Sequence, residues 1–539
     1  MTTPAELPAA LTEDAIAAAC DVLQAVVGLP VEQYESSPHL RKLRQAIGPL
    51  LARSLGRTYD GAGAKGRDKD AARKAHRRQA NRHRQQGVAA ERAAADRSAL
   101  RAQRLARLEA SASEGAVPRI ADGPATMPTP ALADGGDGGA TWSLACCYAC
   151  RSRFPANSTH AFYGAAFCPA CAALNFRKRT QTGDLRGRGA LVTGARVKIG
   201  FRVALKLLKA GATVVATSRF PADCARRFAG EADADQWRDR LRVVGCDFRD
   251  LGGVEALCSA VPGLLGCSLD ILVNNACQTI RRPPQYYAET VRREAKLRRA
   301  IGNASLPLLE GPATDDTAEP AGVALMRAWT ASAPSRSDPA LRALLCVAPG
   351  DDVRDDAAFP AGLKDANLDN NEQLDLRREN SWTARLEDVS TPELAEVFAI
   401  NALAPFVINS KLVPEMKRGA SDKRRRFVVN VSAMEGKFYR QKQPTHPHTN
   451  MAKAALNMMT KTTAPSLAEA HVYMTAVDTG WVNDEKPNHL AADHAARHRF
   501  QTPIDEVDAA SRILDPVFCG LVDTPVFGVF LKDYGETEW

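Results

Sequence analysis

Two pairs of cysteines in the middle of the chain have the spacing of metal ligands. The pairs, each C-x-x-C and separated by 17 residues, consist of Cys147 and Cys150, and of Cys168 and Cys171. Each pair can present two thiolates from a tight turn, and four thiolates complete a tetrahedral zinc site with no open position for a substrate. The spacing therefore predicts one structural Zn, with Cys146 and His160 as alternative ligands.

A glycine-containing turn supplies the second chemical signal. The apolar run at 190–192 has the character of a short buried strand, and it leads into the segment TGARVKIG at 193–200. An amphipathic helix and a second apolar strand at 213–217 follow. Backbone N–H groups at such a turn, together with the helix dipole, bind a pyrophosphate. The pattern predicts the first βαβ unit of an α/β fold, a Rossmann-type doubly wound parallel sheet.

From about residue 186 to 539 the chain resembles the short-chain dehydrogenase/reductase family. The matching motifs, in order, are the turn at 193–200, the acid in CDF at 246–248, LVNNA at 272–276, an Asn in the helix opened by STPE at 390–393, a Ser ending the strand at 427–431, MAKAALNMM at 451–459 and VDTGWV at 477–482. The resemblance implies an oxidoreductase that binds a nicotinamide dinucleotide. The cofactor-binding residues that it implies are Thr193, Gly194, Arg196, Lys198, Ile199, Gly200, Arg219, Asp247, Asn274, Asn275, Ala276, Lys453, Thr479 and Gly480.

The family's catalytic residues are only partly present. The resemblance implies catalytic roles for Asn401, Ser432 and Lys453. Four positions before the lysine, where the family has a tyrosine, this chain has Thr449. The family's tyrosine protonates or deprotonates the substrate oxygen, and the lysine lowers its pKa from about 10. A threonine hydroxyl is far less acidic, so Thr449 cannot take over this role by position alone.

Three interpretations of the missing tyrosine stay open. A displaced acid could serve, either Tyr439 in the loop after Ser432 or one of His446 and His448 ahead of the helix, because imidazole titrates near neutrality. Water could relay the proton instead. Catalysis could also be lost, which would leave a dinucleotide-binding sensor or scaffold. Retention of the other three catalytic positions favours a working enzyme, with Tyr439 as the predicted acid.

Three further features depart from the family pattern. Lys198 replaces the middle glycine of the turn, and Cys277 replaces the last glycine of the NNAG motif. Between Asn275 and Asn401 lie 125 residues, far more than the family uses. About a hundred of them, 281–385, are predicted to form an insertion beside the substrate cleft.

The end of the second strand decides the choice of cofactor. An NAD site places an acid there, which binds the ribose 2′-hydroxyl. This chain instead has Thr217, Ser218 and Arg219, and a guanidinium suits a 2′-phosphate. Although Asp223 is near, the sequence predicts NADP(H) over NAD(H).

Composition divides the rest of the chain. With 539 residues, more than one structural unit is expected. Residues 1–110 are predicted to be helical and basic, 111–140 a flexible Pro/Gly-rich linker, 141–180 a zinc-ribbon-like module, and 186–539 the dinucleotide-binding domain. The net charge of +9 resides in one segment, since 65–107 contains 14 Lys/Arg and 4 Asp/Glu. That segment is predicted to form a solvated helix.

The leading functional prediction is an NADP(H)-dependent oxidoreductase that acts on a small carbonyl or alcohol substrate. The alternative is a binding protein whose basic segment and zinc module hold nucleic acid or an acidic protein partner, although 65–107 lacks aromatic residues for stacking on bases. A homo-oligomer is compatible with either. No run of 18 uncharged apolar residues occurs, so no membrane span is predicted, and a cytoplasmic location is expected.

Overall fold

The computed structural model describes residues 12–27, 29, 40, 43, 98–104, 144–303, 338–365, 372–439, 441–491 and 502–539. The chain divides into two compact units, Met1–Gln86 and Gly87–Trp539. In the first unit, helix α1 spans Glu13–Val27, within the region predicted to be helical. The linker predicted at 111–140 and most of the basic segment at 65–107 lie outside the described residues.

Within the second unit, residues 144–180 form a small aromatic module around the cysteines, which we call the cysteine module. Strands β1 (Leu144–Cys146) and β2 (Arg153–Pro155) form an antiparallel hairpin, and helix α2 (Pro169–Arg179) follows it. The core of the module consists of Phe154, Phe162, Tyr163, Phe167 and Phe176. This core is larger than the sequence suggests, because the aromatic residues are scattered along the chain and not periodic.

A short helical segment at 99–104 packs on the cysteine module. Leu100 is buried in the core of the module, and the backbone N–H of Leu100 donates to the carbonyl of Phe162 (3.1 Å). The guanidinium of Arg104 donates to the carbonyls of Thr502 (2.5 Å) and Ile504 (2.7 Å). The prediction of a solvated helix is therefore wrong at 98–104, where the sparse leucines find a core in a distant part of the chain.

The dinucleotide-binding domain contains an eight-stranded sheet in the order β10-β9-β8-β7-β6-β3-β4-β5. The strands are β3 (Gly189–Val192), β4 (Thr213–Ser218), β5 (Leu241–Gly245), β6 (Leu269–Asn274), β7 (Arg426–Ser432), β8 (Val472–Asp478), β9 (Phe530–Lys532) and β10 (Gly535–Thr537). All neighbours pair in parallel except β9 and β10, which form a hairpin. The chain reverses its direction of winding between β3 and β6, so ligands are expected at the carboxyl ends of these strands. The predicted fold class is confirmed.

Helices cover both faces of this sheet. They are α3 (Lys198–Lys209), α4 (Pro221–Ala229), α5 (Leu251–Leu265), α6 (Pro284–Asn303), α7 (Thr391–Phe398), α8 (Ala404–Lys417), α9 (Pro447–Ala468) and α10 (Glu506–Val522). Adjacent residues of β3 enter different cores: Ala190 packs with α3 and α10, and Leu191 packs with α5 and α8. Burial on both faces explains why the parallel strands are continuous apolar runs in the sequence.

The insertion packs mainly beside the nucleotide end of the sheet. Tyr286 and Tyr287 of α6 share a buried apolar cluster with Phe220, which follows β4. The carboxylate of Glu294 accepts hydrogen bonds from the first N–H groups of α4, at Ala222 and Asp223 (2.8 Å each). The predicted position of the insertion beside the substrate cleft stays a prediction, since α6 lies near Phe220 and Trp382 of the same segment stacks on His446. Nothing in the local sequence indicates this docking, because the partners lie about 70 residues apart.

Among the residues that the structure describes, one helical stretch has the length and composition of a membrane span. It covers Thr391–Lys417, and half of its most apolar window is buried inside the fold. Its apolar residues pack against α5 and the sheet. A core helix packed inside a protein has the same length and composition.

Candidate active site and metal centre

The turn after β3 is fixed by hydrogen bonds at the edge of the sheet. The hydroxyl of Thr193 accepts from the N–H groups of Asn275 and Ala276 (2.9 Å each), and the amide of Asn275 donates back to the carbonyl of Thr193 (2.9 Å). A Cβ on Gly200 would lie 2.2 Å from the carbonyl oxygen of Gly194. Only glycine therefore lets α3 begin this close to the turn, which leaves a cradle of backbone suited to a phosphate.

Two basic side chains of the turn have different environments. Lys198 has φ +53°, a left-handed conformation that suits the glycine it replaces better than a lysine. Arg196 is bound to Asp223 (2.9 Å) and to Glu372 of the insertion (2.6 Å). Arg196 is therefore neutralised by two carboxylates, whereas no ion pair is described for Lys198 among the residues that the structure describes. Ile199 packs in the apolar core beside it.

The end of β4 presents Arg219 against the insertion. Its guanidinium lies 4.8 Å from the ring centre of Tyr287 and donates to the Tyr287 hydroxyl (3.2 Å). Burial alone would raise the pKa of Tyr287, but the charges of Arg219 and Arg282 hold it below its ordinary value. Arg219 is thus oriented by an aromatic ring of α6, which sequence reasoning did not find.

Two acids near this position are already paired. Asp223 is fully buried and bound by Arg196, Arg226 and Arg227. Burial would raise its pKa, but the charges of Arg196, Arg227 and Arg293 hold it well below the ordinary value. Asp247, at the end of β5, is buried and bound through both oxygens by Arg249 (2.6 and 3.1 Å). Burial would raise the pKa of Asp247, and this arginine lowers it.

Ser432 and Lys453 lie next to each other at the end of β7. The ammonium of Lys453, on α9, donates to the carbonyl of Val431 (2.8 Å), one residue before Ser432. Thr449 lies one turn earlier on the same face of α9. The hydroxyls of Ser432 and Thr449 are both buried and have no hydrogen-bond partner among the described residues. Buried polar atoms are normally paired, so these two hydroxyls mark a place where a ligand or water belongs.

A network of buried asparagine side chains forms hydrogen bonds inside this end of the sheet. The amide of Asn274 donates to Asn409 (2.9 Å) and to Asn430 (2.8 Å), and Asn430 donates to Thr460 (2.9 Å). The network joins β6 and α8 to β7, which carries Ser432, and to α9, which carries Lys453. Asn274 is therefore buried in the core and stabilises the site from there. The signal in the sequence for Asn430 was a polar residue within the otherwise apolar strand at 427–431.

Asn401 lies in a π-helical turn, Ala399–Leu403, between α7 and α8. Its side chain accepts from the backbone N–H of Gln278 (2.8 Å) and donates to the carbonyl of Gln278 (3.0 Å). π-turns inside α-helices are frequent at functional sites. Because the oxygen and the nitrogen of the Asn401 side chain both hydrogen-bond with Gln278, in the loop after β6, Asn401 positions that loop. No pattern in the sequence predicts the π-turn.

The two histidines differ in position and surroundings: His446 precedes α9, as expected, whereas His448 lies in its first turn. His446 stacks on Trp382 of the insertion, 4.0 Å between ring centres, and burial lowers its pKa. His448 is buried beside Thr449, with Nε2 3.5 Å from a carboxylate oxygen of Glu393. Burial alone would raise the pKa of Glu393, whereas His448 and Ser381 hold it below its ordinary value. A buried imidazole–carboxylate pair thus lies next to the position of the missing tyrosine.

Tyr439 is on the surface, with 53% of its area exposed. The ammonium of Lys437 lies 4.6 Å from the centre of its ring and donates to Thr537 of β10 (2.5 Å). The lysine is thereby held between Tyr439 and the carboxyl-terminal hairpin. The contact described for Tyr439 is thus with Lys437 and not with the residues that surround Ser432.

The four cysteines of the two C-x-x-C pairs form a single cluster. Their sulfur atoms all lie within 4.8 Å of one another, and the sulfurs of Cys150 and Cys168 are 3.8 Å apart. Zn–S bonds of about 2.3 Å in a tetrahedron put the sulfurs roughly 3.8 Å apart, so the donor set fits zinc. Cys146 is exposed and outside the cluster, and His160 accepts from the N–H of Phe162 (3.1 Å). The four predicted ligands are therefore brought together without the two alternatives.

The match to a family model agrees with this fold. Residues 188–295 and 367–494 match the family model described as short chain dehydrogenase. The chain is 29% identical over 389 residues, 70% of this chain and 72% of the relative, to the uncharacterized protein R665 of Acanthamoeba polyphaga mimivirus. It is 33% identical over 99 residues, 18% of this chain and 28% of the relative, to the uncharacterized oxidoreductase Mb1570 of Mycobacterium bovis. Among solved structures it resembles a short chain dehydrogenase from Burkholderia cenocepacia in complex with NADP, with 17% identity, TM-score 0.39 and coverage of 65% of this chain and 97% of that one.

Proposed function

Because residues 188–295 and 367–494 of this chain match the short chain dehydrogenase family model, we propose that the protein is an NADP(H)-dependent oxidoreductase that acts on a carbonyl or alcohol. The observation that carries the proposal is the pair of unpartnered buried hydroxyls, Ser432 and Thr449, beside the ammonium of Lys453. Two hydroxyl groups and a cation suit a substrate oxygen that gains or loses negative charge.

Each part of the site has a distinct role in the proposed reaction. The bound dinucleotide would supply or accept the hydride. The turn at 193–200 would hold its phosphates, with Lys198 contributing charge, and Thr479 and Gly480 would line the opposite side. Lys453 would bind the ribose hydroxyls and stabilise charge, and Ser432 would orient the substrate oxygen. Asn401 would keep the loop after β6 in place.

NADPH is expected to bind at least about tenfold more tightly than NADH, the effect of a charge-assisted hydrogen bond to the 2′-phosphate. Arg219 supplies the charge, and the burial and pairing of Asp223 remove the nearest acid that could bind a ribose hydroxyl. Arg219→Asp should reduce or reverse the preference, as measured by fluorescence titration. Arg292→Asp is the control, because Arg292 is exposed on α6 and its described hydrogen bond is to the carbonyl of Ala288 in the same helix. Equal affinities of the unmodified protein for the two cofactors would contradict the assignment.

For the proton donor, we propose His448 with Glu393 in place of the surface residue Tyr439. The imidazole is buried, lies next to Thr449, and has a carboxylate partner at 3.5 Å. A histidine oriented by a carboxylate is a common general acid or base, since it can change protonation near neutral pH. Water bound between this imidazole and the two free hydroxyls would complete the path to the substrate oxygen.

Exchange of His448 for glutamine should lower turnover about 10²-fold, the size expected for one general acid–base group. Glutamine has a similar volume and can still hydrogen-bond with Glu393, so the melting temperature should change little. Tyr439→Phe, which also removes one titratable group, is the matched comparison and should retain most activity. If activity were lost only in Tyr439→Phe, Tyr439 would be the proton donor and the assignment of His448 would be wrong.

A catalytically silent dinucleotide-binding sensor or scaffold is the second candidate, and Thr449 at the tyrosine position is the observation that favours it. The same protein preparation distinguishes the two functions. Binding of NADPH together with turnover of any member of a broad carbonyl panel supports the enzyme. Tight NADPH binding with no turnover across the panel supports the silent protein, and absence of NADPH binding contradicts both.

Three further properties complete the proposal. The cysteine module holds one structural zinc. The protein works in a reducing compartment such as the cytosol, which suits thiols buried singly in the core, among them Cys224 and Cys246. The basic segment at 65–107 binds nucleic acid or an acidic partner weakly, and the catalytic domain can associate with a second copy. Gel filtration and a salt-dependent binding assay test the last two properties.

A further inference from the structure

The first C-x-x-C turn of the cysteine module touches the end of strand β8. Tyr148 lies between Cys147 and Cys150, and its hydroxyl accepts a hydrogen bond from the backbone N–H of Trp481 (2.7 Å). Its ring packs edge-on against Phe167 in the core of the module, 5.7 Å between centres. One side chain therefore joins the metal-binding turn to a backbone group more than 300 residues away.

The turn that Tyr148 meets is the one at the carboxyl end of β8, where a ligand of the sheet is expected. Gly480 has φ +82°, and a Cβ there would lie 3.2 Å from the Tyr148 hydroxyl and 2.7 Å from Ile504. The N–H of Gly480 donates to the Asp478 carboxylate (2.9 Å). The turn is thus shaped around the tyrosine and has no room for a side chain at this point.

A cation and a shared core reinforce the contact. The ammonium of Lys532, on β9, lies 5.4 Å from the centre of the Tyr148 ring and 3.4 Å from the Asp478 carboxylate. Cys147, Val482 and Ile504 belong to one buried apolar cluster. One apolar cluster therefore joins the metal-binding turn to the end of β8 and the start of α10. The hydrogen bond of the Tyr148 hydroxyl is a specific polar contact within this cluster.

We propose that Tyr148 is a positioning residue of the cofactor site, through which the metal-loaded C-x-x-C turn holds residues 479–481 in place. A metal bound at Cys147 and Cys150 fixes the backbone that carries Tyr148. Removal of the metal and removal of the hydroxyl should consequently disturb the same backbone. The link to the cofactor rests on the proposed function, whereas the link between the metal and the turn does not.

Hydrogen exchange of the full-length protein, measured by mass spectrometry without dinucleotide, tests the metal–turn link. Tyr148→Phe keeps the ring and removes the acceptor, so exchange at 479–482 should become about 3- to 10-fold faster, the effect of one net hydrogen bond. Removal of the metal with a chelator should accelerate hydrogen exchange of the same peptide in the unmodified protein. In Tyr148→Phe, metal removal should accelerate exchange little further. Unchanged exchange at 479–482 in both cases would overturn the proposal.

The matched control is Tyr163→Phe, in the same module. Its hydroxyl donates to Asp508 of α10 (2.6 Å) and is not in contact with the β8 turn. This variant should lower the melting temperature and leave exchange at 479–482 as it was. An acceleration equal to that of Tyr148→Phe would mean that any weakening of the module loosens the turn, and the specific role of Tyr148 would be refuted.

Ligand binding tests the consequence for the cofactor. Tyr148→Phe should weaken NADPH about 3- to 10-fold and leave adenosine 2′,5′-bisphosphate, which lacks the nicotinamide half, unchanged. Equal weakening of both ligands would show general damage and overturn the positioning role. If the unmodified protein binds neither ligand, the proposed function fails, and the exchange measurement alone decides whether Tyr148 transmits the metal state to the turn.

Discussion

Replacing Lys453 by methionine is expected to reduce turnover by about 10²-fold or more and to weaken dinucleotide binding. Methionine matches the length of the lysine stem but lacks the ammonium, which donates to the carbonyl of Val431 next to Ser432. Charge stabilisation and ribose binding are both lost, so kcat and cofactor affinity should fall together. Steady-state kinetics and a fluorescence titration with NADPH measure the two effects separately.

Lys461→Met provides the control on the same helix. This lysine is two turns further along α9, is exposed, and has its ammonium 5.7 Å from the ring centre of Trp539. It should leave both kinetics and affinity near those of the unmodified protein. Ser432→Ala should reduce turnover and spare cofactor affinity. If Lys453→Met changed affinity but not kcat, the lysine would be a cofactor ligand alone, and the catalytic assignment would be wrong.

The double substitution Cys150→Ser and Cys171→Ser should remove the metal and unfold the cysteine module. One ligand is lost from each C-x-x-C pair, and a structural zinc contributes roughly 10–16 kcal/mol of apparent binding energy in small domains. The aromatic core around Phe162 is too small to compensate for a loss of that size. Metal analysis should fall from about one zinc per chain to none, and limited proteolysis should cut within 144–180.

Cys146→Ser is the matched control for this experiment. It also replaces a thiol in the same hairpin, but Cys146 is exposed and outside the four-sulfur cluster. Its zinc content and protease resistance should equal those of the unmodified protein. Freshly purified, unmodified protein that contained no zinc would refute the metal assignment directly.

The parts of the molecule that could be predicted from sequence are those specified by local spacing. The C-x-x-C pairs led to four sulfurs in one cluster, and the segment at 193–200 led to a glycine turn between β3 and α3. The apolar runs and their order predicted a parallel sheet with a reversal of winding. In each case the physical requirement, a metal-ligand distance or a close approach of backbone, restricts residues that are near one another in the chain.

The parts that could not be predicted depend on contacts between distant segments. Leu100 is an ordinary leucine in an Arg-rich stretch, and its burial follows only from the position of the cysteine module. Arg196 and Glu372 pair across 176 residues, and Trp382 stacks on His446 across 64. No periodicity or spacing encodes these pairs. The surface position of Tyr439 could not be predicted either, because the loop after a strand can direct a side chain toward the site or toward solvent.

The cap that Glu294 provides for α4 has a consequence for protein engineering. A compact catalyst made by excising all of 281–385 would lose the carboxylate that accepts from the N–H groups of Ala222 and Asp223, at a cost of about 0.5–1.5 kcal/mol for each hydrogen bond. A shortened chain should therefore retain α6 and rejoin it near Asp338, to which Arg298 already binds (2.6 Å). Helix α6 is thus part of the smallest stable scaffold, in agreement with the family-model match, which extends to residue 295.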